Sequence, residues 1–523
     1  MLTTEFLEIA SAICPDRPAI IFEGRRTSFA ELTERVQRLA VALRGLGVGP
    51  GDTISLIQVN TPHCIEAYFA SALLGAIYVP LNFRARPSEF EYMINTADAK
   101  VVLAGERYTG VVDGLRPQLQ SVEHFVALDG PAAGWAHYEA LIAECESEFI
   151  FPDFPEESTT ILMYTAGTTG FPKGVMLHHG SFTSYVLNNV SPADPETEER
   201  NLLTVPLYHI AGTQAVMAAI YGGRTLVMQR QFDPKGWMNL VQTERVNRAM
   251  MVPTMLKQVL DHPEFTRHDL SSLKVITYGA APMPIEVITR ALTEFPNCQF
   301  INAFGQTETA ATITALSPED HNFPPELAPE ERTKRLKRLS SVGRALGDVE
   351  MKVVDEDGAE APPGVAGEIV ARGARVMAGY WKDEEKTKNT KKGGWIYTGD
   401  LGYRDDDGYF FLVGRASDMI IRAGENIAPE EVEVVLNTHP AVDESAVFGI
   451  ADNTWGEAVA AAVVLKAGAA VQEAELVEWC RERLASFKKP ERLTFIDELP
   501  RNPLGKVLRR ELRERFGQPV SAS

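Results

Sequence analysis

Closely spaced cysteines are missing from this sequence. Its five cysteines, Cys14, Cys64, Cys145, Cys298 and Cys480, lie far apart and form no C-x-x-C pair. That spacing gives no zinc pattern and suits a reducing compartment. Positive charge is also scarce: 51 Lys and Arg stand against 71 Asp and Glu, a formal net charge of -20. So acidic a chain has no general affinity for nucleic acid or anionic membranes. Long apolar runs are lacking too. The longest, near "AYFASALLGAIYVPL", is short of a membrane span and is broken by Gly75 and Pro80. The opening "MLTTEFLEIASAICP" carries Glu5 and Glu8 where a secretory leader has basic residues. Nor is there a G-x-x-x-x-G-K-[ST] loop, since Gly505-Lys506 is followed by Val507. These absences weigh against a P-loop NTPase. They lead to the expectation of a cytoplasmic protein with no nucleic-acid partner and no integral membrane segment.

What the chain has is length and alternation. Its 523 residues exceed one ordinary core, so two or more domains are expected. Hydrophobic residues at 45% and charged residues at 23% give the balance of a globular protein. Ser28-x-x-Glu31 is a capping box, followed by Phe29, Leu32, Val36, Leu39 and Leu43 at helical spacing and stopped by Gly45 and Gly47. "TISLIQ" (53–58) then reads as a buried strand, "CIEAYFASALLG" as a helix, "AIYVP" as a strand, "PSEFEYMINTADA" as a helix and "VVLA" (101–104) as a strand. "RTLVM" (224–228) and "LKVITYG" (273–279) continue the alternation, which implies α/β layers with largely parallel sheets. The charge-dense stretch 317–338 reads as an exposed loop with a short helix. From about residue 343 short strands with Gly and Asp turns suggest a β-rich subdomain. Beyond Arg415 the pattern is α+β: a helix from Pro429, strands at "SAVFGI" and "AVAAAVVL", and a helix over 472–485. The expected organisation is α/β, with a large domain over 1–415 built of layered α/β subdomains plus the β-rich one. A small mobile α+β domain follows over 416–523, and the tail "GQPVSAS" reads as disordered.

One stretch stands out chemically: "YTAGTTGFPKGV", Tyr164 to Val175, directly after the apolar Ile161-Leu162-Met163. Glycines at 167, 170 and 174 oppose a helix, each costing about 1 kcal/mol there relative to Ala. What remains is a loop of free N–H groups and hydroxyls with one cation, which is either a phosphate cradle or a flexible polar turn.

The loop closely resembles the phosphate-binding motif of the adenylate-forming superfamily, which comprises acyl-CoA synthetases, firefly luciferase and the adenylation domains of peptide synthetases. Further blocks follow in that family's order. They are "NAFGQTET" (302–309), "YTGD" (397–400), "GRASDMI" (414–420), "GENIAPEEVE" (425–433) and "LPRNPLGKVLRREL" (499–512). The resemblance implies an ATP site holding Thr165, Ala166, Gly167, Thr168, Thr169, Gly170 and Lys173 on the β,γ-phosphates. Gly279, Ala280 and Ala281 would pass one face of adenine and Phe304 would stack on the other, within the block Asn302, Ala303, Phe304 and Gly305. Thr307 would meet the α-phosphate, Glu308 would be the Mg²⁺ ligand, and Asp400 and Arg415 would hold the ribose. Lys506 would be the catalytic cation of adenylation, and the hinge would lie at Ser417. Activating a carboxylate in this way requires a triphosphate cradle, a divalent cation, a nucleoside clamp and a cation for developing charge. Each of these residues read alone is an ordinary loop, surface or core residue. Three positions depart from the family pattern: Ala166 where serine is usual, Ser417 where Asp or Lys is usual, and Ala423 where two adjacent glycines are common.

For the acid, "PLYHIAGTQ" (206–214) lacks the aspartate with which peptide-synthetase domains pair an α-amino group. His209 after Tyr208 resembles the gate of acyl- and aryl-CoA ligases. His209, Gly212, Gly279, Ala280, Ala303 and Ala310 would line an apolar pocket for a fatty, carbocyclic or aromatic acid. Coenzyme A is the expected acceptor, near Gly424, Trp455, Phe487 and Lys489. Only 17 residues follow Lys506, so no carrier module is expected after it, and the ending "SAS" is not the S-K-L peroxisomal address. The reading is an ATP-, Mg²⁺- and CoA-dependent acyl-CoA synthetase of fatty-acid-type metabolism, with a homodimer left open. An enzyme loading a separate carrier protein, or a silent nucleotide-binding protein, remains as an alternative.

Overall fold

The computed structural model describes residues 1–165, 172–422, 425–452, 455–502 and 505–517. The expected cradle residues Ala166, Gly167, Thr168, Thr169 and Gly170 lie outside the described residues, as do Ala423, Gly424 and most of the tail. The chain forms two compact units, one of Met1–Glu350 with Ala371–Ile396 and one of Met351–Val370 with Tyr397–Ser523. The expected boundary near 415 falls inside the second.

The first unit is layered α/β. Its eight-stranded sheet places Thr53–Ile57 between Ile77–Pro80 and Ala99–Ala104, all parallel. Every residue of Thr53–Ile57 is buried, as expected of a strand covered by helices on both faces. Helix Phe29–Gly45 starts where Ser28 Oγ accepts the Glu31 N–H, at 3.1 Å, so Ser28 caps it, while the Glu31 carboxylate pairs with Arg25 rather than completing the expected capping box. Strand Thr159–Thr165 then runs antiparallel to Lys173–His178, pairing Thr165 with Lys173.

A nine-stranded sheet carries the rest. Strands Arg248–Met251, Val275–Gly279 and Gln299–Gln306 are parallel neighbours, and Gln299–Gln306 is antiparallel to Ala311–Leu316. The register slips between Phe304 and Gly305. Such bulges re-aim side chains at the ends of strands. Stretch 317–338 becomes a 3₁₀ turn, Pro318–His321, and a helix, Pro329–Arg338.

In the second unit, strands Glu350–Val354, Gly367–Arg372, Trp395–Arg404 and Phe410–Arg415 bear out the β-rich texture. Asp400 lies opposite Arg415 in the Trp395–Arg404/Phe410–Arg415 hairpin. Helix Pro429–Asn437 packs its Val432 and Leu436 with Ile420, Val447 and Val459 in one core. The last expected helix stops at Arg481 rather than 485 and continues as turns, with Leu484 N–H on the Cys480 carbonyl. Among the described residues, no helix is long and apolar enough to cross a membrane.

Candidate active site

The carboxyl ends of the parallel strands are where an open α/β sheet places a ligand. In the first unit those ends carry the motif residues. Gly279 ends one strand opposite Ala303, and its missing Cβ faces the Ala303 carbonyl oxygen, so glycine is required here by a close strand approach. Ala280, next in the chain, is exposed with φ +67°. Phe304 is half-buried beside the slipped register, with its neighbours Asn302 bonded to the Ser341 carbonyl and Ala303 buried. A 3₁₀ turn, Thr307–Thr309, follows the strand and is closed by Ala310 N–H on the Thr307 carbonyl at 3.1 Å. Ala310 and Ala311 then take φ of +48° and +74°. Left-handed non-glycine residues cost about 1–3 kcal/mol each and collect at functional sites.

Glu308 lies in that turn, 6% exposed. Lys173 Nζ donates to its Oε1 at 2.6 Å and to Tyr380 Oη at 2.8 Å, while Tyr380 Oη donates to the same Oε1 at 2.9 Å. Burial opposes ionisation of Glu308, but the Lys173 charge and these hydrogen bonds outweigh it and leave the carboxyl below its ordinary value. Burial and the Glu308 carboxylate push the Tyr380 phenol up, so it stays a neutral donor. Lys173 and Glu308, 135 residues apart, are thus brought together, and Tyr380 is a partner that sequence reasoning missed. The buried Oγ1 of Thr165, at the end of its strand, has no hydrogen-bond partner among the described residues, and a ligand oxygen would satisfy it.

Strand end and helix meet again at "PLYHIAGTQ". Helix Ile210–Tyr221 begins at His209, whose ring lies 4.3 Å from that of Tyr208. Burial lowers the His209 pKa to about 3, so the imidazole is neutral at pH 7, and its Nε2 is buried without a hydrogen-bond partner among the described residues. Gly212 permits a close approach, since a Cβ there would meet the Pro206 carbonyl oxygen at 2.6 Å.

The second unit collects a different set. Arg415 Nε lies 2.6 Å from Asp400 Oδ1, and Asp400 is 4% exposed. Lys506 sits in a tight loop: Asn502 Oδ1 accepts its N–H at 2.8 Å, its carbonyl receives the Asn502 N–H at 2.8 Å, and Gly505 beside it has φ +75°. Crowding protein and the Arg415 charge hold the Lys506 ammonium below the ordinary lysine value, while Asp418 and Asp400 pull it the other way. The side chain stays exposed on its own surface, which limits that crowding. Ser417 is exposed in the turn after Arg415, where Asp418 N–H bonds the Arg415 carbonyl at 3.0 Å.

Of the residues expected at the acceptor site, Trp455 is 47% exposed. The Arg422 guanidinium lies 5.6 Å from its ring centre, donates to the Phe487 carbonyl at 2.9 Å and pairs with Glu491. Arg422 gathers Trp455 and Phe487, and nothing in its local sequence singled it out. Lys489 is partly exposed just after the Ser486–Lys488 turn.

Among the described residues, no three His, Cys, Asp or Glu side chains converge as a metal cluster. A lone carboxylate still suits Mg²⁺, which takes one or two protein ligands and completes its shell with phosphate oxygens and water. The contacts of Lys173 and Tyr380 both fall on Glu308 Oε1.

Comparison with known proteins agrees with this geometry. Residues 7–381 match the family model described as AMP-binding enzyme, and 431–506 match AMP-binding enzyme C-terminal domain. An indoleacetate–CoA ligase of Aromatoleum aromaticum is 32% identical over 98% of each chain. A feruloyl-CoA synthase of an Amycolatopsis species is 35% identical over 96% of each chain. A fatty acyl CoA synthetase of Mycobacterium tuberculosis superposes with a TM-score of 0.79 at 30% identity, covering 99% of this chain and 98% of that one.

Proposed function

The chain belongs to the AMP-binding enzyme family, and we propose on that footing that it is an AMP-forming acyl-CoA synthetase for an apolar carboxylic acid. The observation that carries the reading is the Lys173–Glu308–Tyr380 cluster, in which two residues of the eight-stranded sheet hold the buried carboxylate that follows Thr307 at the carboxyl end of strand Gln299–Gln306. In the first step a carboxylate oxygen attacks the α-phosphorus of ATP, giving acyl-AMP and releasing pyrophosphate. In the second the CoA thiolate attacks the acyl carbonyl and AMP leaves.

In this scheme Phe304 stacks on adenine, worth about 1–3 kcal/mol by analogy with base–aromatic stacking. Asp400 accepts from the ribose hydroxyls and Arg415 orients Asp400. Lys173 and the loop Thr165 to Gly170 hold the β,γ-phosphates, and Thr307 holds the α-phosphate. Glu308 would hold Mg²⁺, which would supply positive charge for the departing pyrophosphate. Lys506 meets charge developing on the carboxylate and α-phosphate. Neutral His209 stands as a gate between the acid and thiol sites. Gly212, Gly279, Ala280, Ala303 and Ala310 add no charged side chain to the acid pocket, which supports a fatty, carbocyclic or aromatic substrate. A small domain hinged near Ser417 closes for adenylation and then turns for thioester formation. Cytoplasmic location belongs to the same proposal. Pyrophosphate release across a panel of such acids tests it, and silence with all of them would overturn it.

For the acceptor, Trp455, Phe487 and Lys489 would flank the CoA nucleotide. Trp455→Ala is expected to raise the KM for CoA by about tenfold, the loss of one stacking contact. Acyl-AMP formation should be unchanged, because CoA enters after activation. CoA saturation curves decide it: a wild-type curve would make Trp455 a packing residue only.

A further inference from the structure

The two left-handed alanines after Glu308 need something to hold them. A non-glycine residue persists at positive φ only where its surroundings over-determine it. Behind the turn, the Thr309 hydroxyl accepts the Gln306 N–H and shares its proton between the carbonyls of Gln306 and Ala311. In front, a cross-brace comes from another element. Gln214 lies on the helix that begins at His209 and carries Gly212, and it is 6% exposed. Its Nε2 donates to the Ala310 carbonyl at 3.4 Å, and its Oε1 accepts the Thr312 hydroxyl at 3.0 Å. One amide therefore spans the strained pair, bonded to Ala310 and to Thr312 just beyond Ala311, from a largely apolar helix. The Ala310 N–H in turn closes the 3₁₀ turn that carries Thr307 and Glu308.

We propose that Gln214 is a positioning residue that clamps the Ala310–Ala311 turn, so that the acid-pocket helix sets the placement of Thr307 and Glu308 at the nucleotide site. The proposal rests on the adenylation reading above. It goes beyond that reading by giving the acid and nucleotide sites a shared mechanical part. A displacement of the helix by an acid seated against His209 and Gly212 passes through the Gln214 amide to Ala310, and through the Ala310 N–H to the turn.

The test is rescue. Gln214→Met keeps length and volume but removes both hydrogen bonds. It is expected to slow acyl-AMP formation by about tenfold or more, mainly in kcat, with the protein still folded by thermal melting. Adding Ala310→Gly and Ala311→Gly to that variant should recover most of the rate, because glycine takes positive φ without being held there. A packing role would predict the opposite, since two glycines would only weaken the variant further. The rise in Tm on adding ATP is read in the same variants, whether or not the panel contains the substrate: it should shrink in Gln214→Met and return with the glycines. A Gln214→Met protein indistinguishable from wild type, or glycines that restore neither rate nor ATP response, would overturn the clamp. A wild type with an ATP-dependent Tm shift that turns over no acid overturns the functional reading and leaves the clamp to be judged by that shift.

Discussion

Lys506→Ala is expected to lose about 3 kcal/mol of transition-state stabilisation in acyl-AMP formation, roughly two orders of magnitude in rate. Thioester formation from supplied acyl-AMP and CoA should stay near wild type. The asymmetry follows from where charge develops. Adenylation joins an anionic carboxylate to an anionic α-phosphate, and a cation aimed there acts in the transition state more than in the ground state. Thioester formation proceeds with no triphosphate present. Lys506 is suited to the first task by its loop: Asn502 fixes its backbone on both sides, while Arg415 opposes and Asp418 and Asp400 favour the charge on its ammonium. Substituting alanine should leave the loop standing, because Arg501 donates to the Gly505 carbonyl through its guanidinium and not through Lys506. Rates of the two half-reactions, measured separately, decide the matter. Equal loss in both, or loss in neither, would remove Lys506 from its role.

Glu308→Gln is expected to cut adenylation by about 10²-fold or more and to shift the Mg²⁺ dependence to higher concentration. The substitution keeps shape but removes the charge that balances Lys173, a cation whose side chain is only 23% exposed. A half-buried ammonium left without its counter-charge is destabilising, so a lower Tm should accompany the lost rate. The pH dependence has a definite sign. Because the folded carboxyl is held below its ordinary value of 4.5, Glu308 stabilises the protein fully above that pH, and the stabilisation is lost as pH falls further. Acid melting of the variant should therefore be shallower than that of wild type. A Mg²⁺ titration that superposes on wild type would withdraw the metal assignment.

Much of the fold was legible because its signals are local. The helix cap at Ser28, the buried strand Thr53–Ile57 and the helix at Pro429 each announce themselves within a few residues. Glu308 and Lys173 were legible as members of contiguous motifs, and so were Asp400 and Arg415, which flank one hairpin. Their partners were not. Tyr380 reaches Glu308 across 72 residues and has only an ordinary Gly-Tyr-Trp context. Arg422 gains its significance from Trp455 and Phe487, which meet it only through the fold. Positive φ at Ala310 and Ala311 leaves no trace in sequence, because alanine gives no hint of a left-handed backbone. Gln214 reads as a stray polar residue in an apolar helix until its two hydrogen bonds are seen.

The central claim is that a carboxylic acid is joined first to AMP and then to CoA. It is tested most directly by resolving the nucleotide products of the wild-type enzyme over a panel of fatty, carbocyclic and aromatic acids, with Mg²⁺-ATP and with or without CoA. The account predicts AMP and pyrophosphate in equal amounts, formed only when the right acid is present, and an acyl thioester that appears only when CoA is added. ADP and phosphate as the products, or AMP formed at the same rate without any acid, would contradict it.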